Sequence, residues 1–244
     1  MTKGKRILIH LLPLILITIS LSTFDAQSKH KIKSVKNEVI QEVVPSSEHD
    51  TYVSPISDLK NAYSNPDIIS KIQIDEINLD AVITKSSDNK FYLNHDAYRN
   101  ENEFGSPYVD FRNGNNLDEE RQINIYSHNY YDDSYNDYLP FSKLENYLSK
   151  DVFDKAREIY LLTEEKKIKY EVYALKIITD NNEHMILDAN SETDWQHHLD
   201  RLLEDTTYCI DDCHLSSDAK LLVLQTCNYN PKGSFLLVIA KKVL

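Results

Sequence analysis

Leu221-Leu-Val-Leu-Gln-Thr-Cys227 is a run of near-continuous hydrophobicity that stops on a thiol. A short apolar run of this kind, followed by the turn-forming Asn228-Tyr-Asn-Pro-Lys-Gly233, predicts a buried β-strand whose last residue sits at the mouth of a sheet. Gln122-Ile-Asn-Ile-Tyr-Ser-His128 has the same form and stops on an imidazole. A Cys and a His, each held at the end of a rigid strand, are what a cysteine transpeptidase or protease needs. Separately, each residue has a plainer reading: Cys227 as a small buried hydrophobe, His128 as a surface residue of a polar loop. The turn after Cys227 favours partial exposure, which a nucleophile requires.

The rest of the chain predicts many short strands with a few inserted helices. Ile72 to Ile83 alternates across a turn near Asn78, and Phe91 to Leu93 and Ser106 to Phe111 are further strand candidates. Ser57 to Tyr63, Lys143 to Leu148 and Lys150 to Ile159 read as short helices, the last two after Ser142 and Ser149 as caps. Ile159 to Leu162 and Ile168 to Ile178 form a hairpin pattern. Ser191-Glu-Thr-Asp194 opens a strong helix to Glu204, with Trp195, Leu199, Leu202 and Leu203 on one face. Leu221 to Thr226 and Phe235 to Val243 close the chain as strands. The fold class is therefore mainly β with inserted helices, a closed mixed β-barrel.

Composition excludes several functions. The formal charge of −12 leaves no basic patch for nucleic acid. Four glycines and no G-x-G-x-x-G or Walker pattern argue against a phosphate-cradling loop. Cys209, Cys213 and His214 match no common zinc spacing, so no metal and no cofactor is expected. Of the three cysteines, Cys209 and Cys213 either pair or stay free, and an odd count leaves at least one thiol.

At the start, Lys3, Lys5 and Arg6 precede the apolar run Ile7 to Ser22 without a clear cleavage site. This predicts a signal anchor or transmembrane helix at 1–23, a polar stalk or linker at 24–56, and one catalytic domain at 57–244. The localisation so implied is the cell membrane, single-pass, with the catalytic domain extracytoplasmic.

The chain resembles the sortases, class B in particular. The resemblance rests on Phe91-Tyr-Leu-Asn-His-Asp96, Gly105-Ser-Pro-Tyr-Val-Asp-Phe-Arg-Asn113, Asn124-Ile-Tyr-Ser-His-Asn129, Phe153-Asp-Lys155 and Leu221 to Cys227, and covers roughly residues 57 to 244. It implies the sortase barrel and a cysteine transpeptidase of a Gram-positive cell envelope. Such an enzyme cleaves a C-terminal sorting signal after its threonine and holds the surface protein as a thioacyl. It then passes the protein to an amine of peptidoglycan or a lipid-linked precursor. Cys227 matches the family nucleophile and His128 the family histidine. Ser127 and Thr226, beside them, are candidate substrate-binding residues. His95 matches a family position and reads as a loop residue.

The chain departs from the family at one point. Sortases carry an arginine in the strand after the cysteine, where it holds substrate and oxyanion. Aligning Val238-Ile-Ala-Lys241 puts Phe235, or Ser234, in that place, and both are candidate substrate contacts. Lys232, Arg112 and Arg121 are the alternative cations. The departure leaves two rivals to the transpeptidase: a sortase-fold scaffold that only binds peptides, and a cysteine hydrolase that releases its acyl group to water.

Overall fold

A computed structural model describes residues 52–130, 134, 138–179, 189 and 191–243. Tyr52–Leu244 form one compact unit. It opens with α1 (Ile56–Tyr63), then β1 (Ile68–Ile74), β2 (Leu79–Thr84), β3 (Tyr108–Val109) and β4 (Gln122–Tyr126). Next come α2 (Lys150–Lys155), β5 (Glu158–Leu162), β6 (Lys167–Ile178), α3 (Glu192–Leu203), β7 (Tyr208–Cys209), β8 (Leu221–Asn228) and β9 (Ser234–Lys242).

The strands run in the order β5-β1-β2-β3-β4-β8-β9-β6, and β6 bonds back to β5, which closes an eight-strand barrel of mixed direction. This is the sortase-type barrel expected from the sequence. β6 is long enough to serve twice on one edge: residues 167–171 pair with β5, and Ala174 and Leu175 pair with the short β7.

Alternation along the strands sorts their side chains onto two faces. Ile123, Ile125, Leu222, Leu224, Leu236 and Val238 point into the barrel. Leu221, Val223, Leu237 and Ile239 point outward under α3, against Trp195, Leu199 and Leu202. Ser191 caps α3, its hydroxyl accepting from the Asp194 N–H at 3.1 Å. Such a cap stabilises a helix by about 1 kcal/mol.

Several expectations change. Phe91–Leu93 is a 3-10 turn, not a strand, because the Asp88 carboxylate accepts from the N–H groups of Lys90 and Phe91 and winds the chain. Of Ser106 to Phe111 only Tyr108–Val109 pairs as strand. Pro140–Leu148 is a 3-10 helix. The helix expected over Lys150 to Ile159 ends at Lys155, because Ile159 pairs with Tyr170 in the β5–β6 hairpin. Ser149 precedes α2 without a side-chain cap bond, and Ser142 lies inside the 3-10 helix, donating to Leu139 O at 2.7 Å. Cys209 and Cys213 are bridged, with Cα atoms 5.5 Å apart.

The anchor expected at 1–23 lies outside the described residues. Among the described residues no helix is long and apolar enough to cross a membrane. The single-pass membrane localisation is corrected accordingly: no spanning helix among the described residues supports it. Of the stalk expected at 24–56, residues 24–51 also lie outside. Its last residues belong to the compact unit, where Tyr52 and Ser54 hydroxyls both donate to Thr163 O, at 2.6 and 2.9 Å.

Candidate active site

The site forms just past the end of β4, beside the last residues of β8. The two strands are parallel and in register from Gln122↔Leu221 to Tyr126↔Gln225, and Ser127 N–H extends the ladder to Gln225 O at 3.2 Å. Beyond that bond the ladder stops, and the residue after His128 closes on Cys227: Asn129 Nδ2 donates to the Cys227 carbonyl at 3.2 Å. Cys227, within β8, has the outward parity of Leu221 and Val223, and His128 lies two residues past the end of β4. Both are half-buried.

His128 is held from the far side. Its Nε2 lies 2.8 Å from the Leu93 carbonyl. A carbonyl only accepts, so Nε2 carries the proton and Nδ1 is left to exchange one. Tyr130 stands tilted against the imidazole, ring centres 5.9 Å apart. No hydrogen bond joins His128 to Cys227 among the described residues. Burial pushes the Cys227 thiol above its ordinary value, while the backbone N–H of Asn129 pulls it the other way.

The neighbours of the pair divide into those facing outward and those spent internally. Thr226 is 1% exposed, and its hydroxyl donates to the Ser127 carbonyl at 2.9 Å, which rivets the two strand ends. Ser234 is also buried. Its hydroxyl donates to Pro231 O at 2.6 Å and accepts from Asn228 Nδ2 at 2.7 Å, which fixes the β8–β9 turn. Ser127 follows the inward parity of Ile123 and Ile125. Of the four candidate substrate contacts, only Phe235 shares the face of Cys227. It pairs directly with Cys227 across the β8–β9 ladder and packs against the cluster under α3.

The alternative cations do not reach this place. Arg121 precedes β4 at its opposite end, seven residues from His128, or about 23 Å at the strand rise. It pairs with Glu192 and covers the Trp195 ring. Arg112 grips Asp110 with two bonds, 2.8 and 2.7 Å. Asp110 N–H bonds Asn124 O, so that stretch already runs away from His128. Lys232 is exposed on the turn after Cys227.

Sequence reasoning did not single out Asn129, Leu93, Glu145 or Tyr229. Asn129 Nδ2 donates to Glu145 Oε1 at 2.7 Å and to Cys227 O at 3.2 Å, and Tyr229 OH donates to Asn129 O at 2.8 Å. The signal available was an amide directly after the candidate histidine. His95 is structural, its Nδ1 2.8 Å from Phe91 O and its ring stacked on Phe91. No cluster of three metal-ligating side chains occurs among the described residues.

No protein-family model matches the chain. It is 27% identical over 165 residues to sortase B of Listeria monocytogenes, covering 67% of this chain and 64% of the relative, a little under two thirds of that protein's length. It is 25% identical over 183 residues to sortase B of Staphylococcus aureus, covering 72% of this chain and 70% of that one. The structure of Clostridium perfringens sortase B superposes with a TM-score of 0.69 at 26% identity, over 77% of this chain and 99% of the other. With the closed mixed barrel already described, these matches make the chain similar to class B sortases in sequence and in fold.

Proposed function

We propose that this chain is a sortase-type cysteine transpeptidase with Cys227 as nucleophile and His128 as acid and base, residues 57–244 being its catalytic domain. One observation supports the reading: Asn129, directly after His128, bonds the Cys227 carbonyl, which holds the segment bearing the imidazole against the end of β8 that bears the thiol. The Cys227 thiolate attacks the threonine carbonyl of a C-terminal sorting signal. As the amide C–N bond breaks, protonated His128 gives its Nδ1 proton to the departing nitrogen. The surface protein is left as a thioester on Cys227. An amine, in this reading one of the cell wall, then attacks the thioester. His128 takes the amine's proton and the thiolate is released. Thr226 and Ser234 act beneath the site by fixing the strand ends, Ser127 supplies the carbonyl that Thr226 grips, and Phe235 faces the acyl group.

Phe235 also favours a second reading, a sortase-fold protein that binds such peptides without turning them over. An aromatic ring opposite Cys227 supplies no charge to an oxyanion, and losing one donor there typically costs about 10²–10³ in rate. A panel of sorting-signal peptides incubated with the protein, read by mass spectrometry, separates the two. A thioacyl adduct that vanishes in Cys227→Ala supports the transpeptidase. Peptide binding with no adduct at any pH refutes it in favour of the binder. An adduct that resolves equally fast with and without an added amine would instead mean a hydrolase.

A further inference from the structure

Cys227 is burdened by burial and has no arginine beside it among the described residues, so what steadies its thiolate must come from other groups. Asn129 stands at the junction. Only 2% exposed, it follows His128 directly, and its side-chain amide spans two acceptors: Glu145 Oε1 on the 3-10 helix Pro140–Leu148 and the carbonyl of Cys227 itself. Its own carbonyl accepts from Tyr229 OH, two residues beyond the cysteine. Three elements are thus tied through one residue at the point where the β4–β8 ladder has run out.

We propose that Asn129 is a positioning residue, a clamp through which Glu145 and Cys227 O hold the end of β4 against the end of β8. The inference rests on the reading of Cys227 as nucleophile and deepens it. Its chemical consequence follows from where the clamp leaves the backbone. The Asn129 N–H acts on the Cys227 thiol in the sense that favours the thiolate, against the desolvation that opposes it. A backbone amide is fixed in direction only as well as its residue is, so freeing the side chain loosens the N–H.

The test is the pH profile of alkylation by iodoacetamide. Cys227 is the free cysteine, the other two being bridged, so the rate reports its thiolate alone. Asn129→Ala is expected to raise the midpoint by about one pH unit, which slows alkylation about tenfold below it. Glu145→Ala is expected to do the same, whereas Glu145→Gln, which keeps an acceptor oxygen and removes the same charge, stays near the native midpoint. A purely structural role would lower thermal stability in both Glu145 variants without separating their profiles. If Glu145→Ala and Glu145→Gln titrate alike, or Asn129→Ala keeps the native midpoint, the clamp is refuted. The Glu145 pair decides the matter even if Asn129→Ala fails to fold. No substrate enters this assay, so a native protein inert towards peptides would sink the transpeptidase reading and still leave the clamp to be judged.

Discussion

The histidine is only as well placed as the loop that holds it, and that loop depends on Gly105. Gly105 has φ +60°, and a Cβ built there would lie 2.4 Å from Tyr92 O and 2.7 Å from Leu93 O. The second of these is the carbonyl that receives His128 Nε2. Both obstacles are backbone, so no side chain can swing clear. In Gly105→Ala the left-handed conformation costs about 1–2 kcal/mol. The Tyr92 carbonyl must also retreat by about 0.6 Å merely to reach the closest separation real Cβ atoms show. That carbonyl accepts from Ser106 N–H at 2.9 Å, a bond worth about 1 kcal/mol. The variant should therefore lose about 2–4 kcal/mol in urea denaturation with an unchanged m-value. The Leu93 carbonyl shifts with the turn and takes the imidazole with it. Misplacement of a catalytic group on the order of 1 Å costs up to about 10²-fold, so single-turnover thioacylation of Cys227 should fall by about 10–100-fold. Gly105→Asn relieves the left-handed penalty but keeps the Cβ, so it should be nearly as damaging. Were Gly105→Ala within about 0.5 kcal/mol of the native protein and equally fast, the loop would not be what aims His128.

Phe235→Arg places a guanidinium on the residue that pairs with Cys227, within the reach of cross-strand neighbours about 5 Å apart at Cβ. Thioacyl formation should rise by about 10–10² while stability falls by about 1–2 kcal/mol for the lost packing under α3; an unchanged rate in a folded variant would show that the oxyanion is already served by other groups. Acid titration should expose Asp110. Burial alone would raise its carboxyl, but bonds from Arg112, from the Arg112 backbone, from Tyr126 OH and from Asn89 outweigh it and hold the group at about 2. A depressed carboxylate contributes stability that is complete above its unfolded value near 4 and disappears as pH falls through about 2. Urea midpoints between those limits should therefore lose about 2 kcal/mol more in the native protein than in Asp110→Asn; parallel curves would contradict the assignment.

The barrel was legible because its code is local. Ile123 and Ile125 alternate with Asn124 and Tyr126, and Leu221 to Leu224 is apolar on both faces because one packs inside the barrel and the other under α3. The strands that lead to Cys227 and His128 were legible for the same reason, since each is such a run. What escaped was decided by partners distant in sequence or by single turns. Phe91–Leu93 has strand composition but is wound by Asp88, and β7 is two residues with no pattern of its own, paired only because β6 overhangs β5. The hold of Leu93 on His128, and of Glu145 on Asn129, joins segments whose proximity no periodicity encodes.

The missing arginine was visible in the sequence, but its consequence was not. Register separates the two candidates for its place: Cys227 faces Phe235 and Asn228 faces Ser234, so Phe235 is the one directly opposite the thiol. Lys232 does not fill the gap. It lies exposed in the turn, before the ladder resumes, where water screens a point charge to little effect on a half-buried thiol. Arg112 and Arg121 are committed to carboxylates elsewhere. The thiolate's support therefore has to be built from what does converge there, namely the backbone amide that Asn129 holds in place. Support of that kind is dipolar and short-ranged, unlike a guanidinium's, so it depends on the fit of the two strand ends. This is why the Asn129–Glu145 clamp and the Gly105 turn, neither of which touches substrate, are the positions where a small change should be felt most at Cys227.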